Sequence, residues 1–175
     1  LVTTACSAQT ESSVKRGEKL VLLGGCNDCH TPKNFDEKLH APVPDYAHML
    51  AGHPTGAPDP EGTPGPHDSA VIGPTFTSFR LGFGTVYARN LTPDKDTGIG
   101  TWTADQFVST MRTGHRQGTG RAMLPPMPWQ NMAPMTDEEL RAMFDYLQSI
   151  PAVANQVPDP KVPATMLASA NGETK

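Results

Sequence analysis

"CNDCH", residues 26–30, decides how this 175-residue chain is read. Two cysteines lie three apart and a histidine follows the second directly. Three chemistries use such a cluster: a zinc site, a redox-active dithiol and a haem attachment point. Structural zinc takes four ligands, usually as two Cys/His pairs, and this chain has no second cysteine pair. A thioredoxin-like dithiol sits beside a βαβ unit, whereas this CxxC follows a helical stretch with no strand pattern before it. Haem attachment needs only what is present. Two residues between the cysteines let both thiols reach the two vinyl groups of one porphyrin, and the adjacent histidine is then held beneath the ring. Cys26 and Cys29 are therefore expected to carry one covalent haem c, with His30 as an iron ligand.

Outward from that stretch, three segments read as helices. "SVKRGEKLVLLG" (13–24) leads straight into the cysteines. In "TADQFVSTMRTG" (103–114), Thr103 and Gln106 have capping-box spacing, Trp102 and Phe107 can staple the entry, and Gly114 ends the run. "MTDEELRAMFDYLQSIP" (135–151) is the clearest. Thr136 and Glu139 form a second capping box, Leu140, Met143, Phe144 and Leu147 recur at i, i+3, i+4, i+7, and Pro151 stops the helix.

The rest is of another kind. The chain has 18 prolines and 16 glycines with 37% hydrophobic residues, a modest core that a buried cofactor would complete. Residues 41–79 hold eight prolines, five glycines, four acidic residues and no lysine or arginine. No strand pattern is visible there, so a surface excursion without regular secondary structure is expected. The expected organisation is a linker or signal remnant at 1–11, a domain at 12–150 with an irregular insert at about 33–84, and an extended tail at 151–175. A net charge of −4 speaks against nucleic acid as a partner. No stretch approaches the ~20 apolar residues of a transmembrane helix.

The sequence resembles the class I c-type cytochromes over most of residues 12–150. The carriers of the resemblance are the CxxCH near the N-terminus, "YARNLTPDKDTGIGTWTADQF" (87–107) and a methionine-bearing loop before the last helix. The resemblance implies an all-α, cytochrome c-like helical fold around one haem, with the Pro/Gly-rich insert as an irregular addition. It implies a crossing of the first and last helices at Gly17 against Phe144 or Tyr146. It also implies that Asn90 and Trp102 hydrogen-bond a haem propionate, with Tyr87 sharing that duty. The blocks "NLTPD", "TGIGTW", "LPPMPW" and "MTDEEL" are similar to bacterial cytochromes, or cytochrome subunits, that serve periplasmic dehydrogenases.

A thioether as second axial ligand suits electron transfer, and an open position suits gas binding or catalysis. Met143 and Met135 are expected in packing. Of Met123, Met127 and Met132 in "AMLPPMPWQNM", Met127 is favoured, because Pro126 and Pro128 stiffen its loop. A bis-histidine site through His53 or His115 is the competitor. His40, His48, His53 and His67 all sit in the insert, and their irregular spacing makes solvated loop residues the expected reading of them. Arg112, Arg116 and Arg121, with no acidic residue among them, suggest a basic rim that steers an acidic partner or pairs with propionates.

The expected function is electron transfer by a monohaem cytochrome with His/Met ligation, an electron carrier rather than an enzyme. Its expected partners are a dehydrogenase, an oxidase or another cytochrome. The alternatives are a permanent cytochrome subunit of a dehydrogenase or respiratory complex, and a haem sensor or catalyst with an open sixth position. "LVTTACSAQTESS" looks like the end of a lipoprotein signal around Cys6, which gives a periplasmic expectation with a lipid tether through Cys6.

Overall fold

A computed structural model of the chain describes residues 11–66 and 69–168; Cys6 and His67 lie outside them. Its core is a crossing of two helices, α1 (Ser13–Leu23) and α5 (Asp137–Ser149). The crossing is set by Gly17. A Cβ there would overlap the Ala142 carbonyl and lie 2.9 Å from Tyr146 Cβ, so only glycine lets the backbones approach this closely. Of the two candidate aromatics, Tyr146 backs the glycine. Phe144 turns instead to Phe107, with ring centroids 5.6 Å apart.

Phe107 belongs to α3 (Ala104–Thr113), which adds Val108 and Met111 to the core beside Val21 of α1. Leu140, Met143 and Leu147 are fully or almost fully buried, as their spacing predicts, and each contributes about 1.5–3 kcal/mol by leaving water. Both capping boxes form. Thr103 exchanges hydrogen bonds with Gln106, and Thr136 with Glu139, satisfying amides that a helix start leaves open.

The expectation of an all-α fold with an insert lacking regular structure is wrong. Besides five α-helices, the described residues hold five strands in two antiparallel sheets, all between residues 33 and 87. β1 (Lys33–Asp36) and β2 (Ala41–Pro44) form a hairpin directly after the CxxCH stretch. β3 (Val71–Ile72), β4 (Ser78–Leu81) and β5 (Gly84–Tyr87) form the second sheet, in that order.

The physical reason these strands are hard to read is their size and chemistry. None exceeds four residues, too few to show a period of two. Pro42 and Pro44 argue against a strand, yet both strands of a two-stranded sheet are edges, where proline is tolerated. Alternation with Ala41 and Val43 leaves every second amide for pairing.

Residues 151–161 run back over this layer as extended chain. The Asn155 side chain donates to the carbonyls of Ala51 (2.7 Å) and His53 (2.9 Å). Lys161 exchanges backbone hydrogen bonds with Thr85, and Val157 is buried.

Candidate haem-binding site

α1 ends at Gly24, whose N–H closes onto the Leu20 carbonyl. Gly25 then turns in the left-handed region at φ 68° and starts α2 (Cys26–His30), a helix little longer than one turn. The two cysteines are half-buried and not disulfide-linked. Burial pushes the Cys26 thiol up to about 11 and raises that of Cys29. A redox dithiol needs the opposite shift.

His30 is buried, and its Nδ1–H donates to the Arg89 carbonyl at 2.7 Å. That bond fixes the tautomer and leaves the Nε2 lone pair for a metal. Burial also lowers the imidazole pKa, which favours the neutral, ligating form. The histidine's own backbone is clamped as well: its carbonyl accepts from Gly52 N at 2.8 Å. Gly52 (φ 78°) approaches the chain so closely that a Cβ would come within 2.6 Å of the Ala88 oxygen. The insert and the strand-β5 exit thus hold His30 from two sides.

After α3 the chain turns at Gly114, in the left-handed region, against the face of the Trp129 ring. The following loop is tied by Met123 N to the Gly114 carbonyl (2.7 Å) and by His115 Nδ1 to the Gly120 carbonyl (2.9 Å). Met123 and Met127 line one cavity of about 220 Å³ with Pro125, Pro126, Pro128 and Trp129. α4 (Trp129–Met132) then returns to the cysteine stretch. The Met132 methyl would lie 3.3 Å from a Cβ on Gly24, so this thioether is used in packing beside the start of α2. Met143 and Met135 belong to the core or its edge.

The expectation of a solvated loop residue is wrong for His53: it is fully buried in the insert layer, with Nδ1 bonded to Thr77 Oγ1 at 2.9 Å, its ring against Tyr87 and its Nε2 without a partner among the described residues. Tyr87 itself donates to Asp59 at 2.6 Å.

The two propionate candidates differ. Asn90 is buried and its side chain is fully engaged by protein groups. Its amide donates to Thr97 Oγ1 (3.1 Å) and the Val153 carbonyl (2.8 Å), while its oxygen accepts from Thr92 N and Thr92 Oγ1. Trp102 is half-buried against the core, with no hydrogen bond from its indole among the described residues and the Arg116 guanidinium 5.7 Å from its ring centroid.

The basic rim is also composed differently. Arg112 is taken by Asp137 (2.7 Å) and the Ala133 carbonyl. Arg116 and Arg121 instead share a cavity with Arg89, a residue the sequence reading passed over although it adjoins Asn90.

The residues present fit a haem of the c type. Two thiols and an imidazole oriented by the Arg89 carbonyl lie on a short helix, and methionines line a proline-walled cavity on the loop that leads into α4, whose Met132 packs at Gly24. The site and the helix crossing are similar to those of c-type cytochromes.

No family model matches the chain. The chain is nonetheless related to cytochrome c subunits of bacterial dehydrogenases. It is 29% identical over 154 residues to the gluconate 2-dehydrogenase cytochrome c subunit of Pantoea cypripedii, covering 87% of this chain and 27% of that protein. It is 29% identical over 159 residues to the quinone alcohol dehydrogenase cytochrome c subunit of Gluconobacter oxydans, covering 89% and 26%. The fructose dehydrogenase cytochrome subunit of Gluconobacter japonicus matches at 25% over 154 residues, covering 85% and 24%. The chain spans about a quarter of the length of these relatives, and their relationship implies haem c as the cofactor.

Proposed function

We propose that the chain is an electron-carrying cytochrome c domain with one haem, bound covalently through Cys26 and Cys29. His30 Nε2 and the Met127 thioether would be the groups that hold its iron. The observation that carries this reading is the buried His30 ring, set directly after the CxxC and oriented by the Arg89 carbonyl. The haem, when bound, supplies an iron that cycles between ferrous and ferric, and a thioether ligand favours the reduced form.

The protein's part is positional. The Gly52 and Arg89 contacts hold the imidazole still, the α1–α5 crossing keeps α2 in place, and the prolines around Met127 limit motion of its side chain. Rigid ligands keep the structural change on electron transfer small. Trp102, whose indole N–H has no partner among the described residues, is the residue proposed to bond a propionate. Asn90 is proposed as the brace of the 90–97 loop.

The electron donor is proposed to be a dehydrogenase, either met transiently or joined permanently, since the relatives are named as subunits of gluconate, alcohol and fructose dehydrogenases. No described helix is long and apolar enough to cross a membrane. A periplasmic location with a tether through Cys6 is proposed from the sequence around that residue.

The test is an absorption spectrum of the purified protein, oxidised and reduced, extended into the far red. A c-type reduced spectrum with the weak sulfur-to-ferric-iron band is expected, lost in Met127→Ala and kept in Met123→Ala. A haem spectrum lacking that band in the wild type sinks Met127 ligation. Rapid carbon monoxide binding to the reduced protein would put the sensor or catalyst reading in its place.

A further inference from the structure

Arg89, Arg116 and Arg121 come from two segments distant in sequence and line one cavity of about 390 Å³, closed by Asp159, Pro160 and Leu167 of the returning chain. Among the described residues the three have a single ion-pair partner. Asp159 stands 3.9 Å from Arg89 and is 92% exposed. The Arg89 side chain is only 33% exposed and is held by the carbonyls of Val157 (3.4 Å) and Pro158 (2.9 Å). Three like charges around one partly dry cavity repel each other unless an anion joins them.

We propose that these arginines form a binding pocket for a pair of carboxylates. A guanidinium presents a planar fork that matches a carboxylate in two parallel hydrogen bonds, and three forks around one cavity suit two carboxylates better than one. The chemistry has two sources: the carboxylate side chains of the haem, or a small free di- or tricarboxylate. Two contacts favour the haem. Arg89 holds His30 through its carbonyl, and Arg116 lies over Trp102. That arm rests on the function proposed above; the pocket itself rests on the arginines alone.

Arg116 and Arg121 are the residues to change, because neither side chain makes a hydrogen bond among the described residues. Arg116→Gln, Arg121→Gln and the double variant are prepared as holoprotein, with Arg112→Gln, taken from the Asp137 pair, as the control. The absorption spectrum is read first, then the reduction potential, then the thermal midpoint in citrate against chloride at equal ionic strength.

If the haem's carboxylates occupy the pocket, the potential falls in each pocket variant and further in the double variant, because a lost cation favours ferric iron. Arg112→Gln then moves it less, and citrate stabilises wild type and variants equally. An unchanged potential, with citrate raising the midpoint of the wild type but not of the double variant, keeps the pocket and assigns it to a free carboxylate. The proposal is overturned if neither response occurs, or if Arg112→Gln lowers the potential as much as the pocket variants do. A protein without haem absorption refutes the function proposed above, and the citrate comparison then decides the pocket alone.

Discussion

The helical core and the layer built by residues 33–87 hold the same histidine in different ways. The core of α1, α3 and α5 is cohesive through apolar burial: Val21, Phe107, Leu140, Met143 and Leu147 are at most 2% exposed. The layer buries Leu50, Phe79 and Val86 but adds polar pins: Thr31 to Leu50 N, Asn155 to Ala51 and His53, Tyr87 to Asp59, Lys161 to Asp59. Large side chains such as Phe35, Leu39, Tyr46 and Ile72 stay more than half exposed there. Burial is non-directional and tolerates approximate geometry, whereas hydrogen bonds fix position but yield little net free energy each. The core therefore supplies stability and the layer supplies register around His30.

The largest effect that tests this contrast is at Leu140. It has no exposed surface, so Leu140→Ala should cost about 2–5 kcal/mol, read from chemical denaturation. A loss under about 1 kcal/mol would mean the crossing is not the core. Gly17→Ala comes next. The added methyl meets the Ala142 carbonyl and Tyr146 Cβ, and the helices must part. A net loss of about 1–3 kcal/mol is expected despite alanine's better helix propensity, with the thermal midpoint falling accordingly. An unchanged midpoint would show that the backbones are not in contact.

These two regions were unequally legible in the sequence. Core helices announce themselves locally: the Thr136/Glu139 box, the Leu140–Leu147 spacing and Pro151 all lie within one window. The CxxCH stretch is equally local, because one chemical group constrains three neighbouring side chains. The carbonyl partner of His30 is not local. It comes from Arg89, 59 residues on, and any residue type could provide it, since the acceptor is backbone. The strands do not show in the pattern because none exceeds four residues and β2 carries two prolines, and among the described residues only β5, through Thr85, bonds to the returning chain at Lys161. The resemblance gives Asn90 a ligand role, yet its side chain bonds Thr92, Thr97 and the Val153 carbonyl, 63 residues on, and the last of these has no sign in the local pattern. Arg89 was missed because its partners in the cavity, Arg116 and Arg121, arrive from beyond α3.

The polar layer is tested at Tyr87. Its hydroxyl donates to Asp59, which also meets Lys161 at 2.6 Å. Tyr87→Phe should cost about 1–2 kcal/mol by removing a bond to a charged acceptor. Its pH dependence has a definite sign. Lys161 and then Tyr87 hold the Asp59 carboxyl below its ordinary value. A depressed folded pKa gives stability that is present above the unfolded value near ~3.9 and is lost as pH falls through the folded one. Removing Tyr87 should therefore weaken the acid-side loss as well as the neutral-pH stability. Parallel pH profiles for the two proteins would show that the hydroxyl does not act through Asp59.

The smallest effect is expected at Phe35, and it sharpens the comparison most because it asks whether the β1–β2 hairpin uses burial as the second sheet does at Phe79 and Val86. Phe35 lies opposite Pro42 in the β1–β2 hairpin and is 61% exposed. If the hairpin is held by its own ladder and by Lys33 N bonding to the Thr75 carbonyl, Phe35→Ser should change stability by less than about 0.5 kcal/mol. Denaturation of the isolated chain measures this directly, against Leu140→Ala in the same buffer. A loss above about 1 kcal/mol would place the aromatic in a cooperative apolar unit with the rest of the protein. The hairpin would then belong to an apolar unit, and both sheets of the layer would be held by burial rather than the second alone.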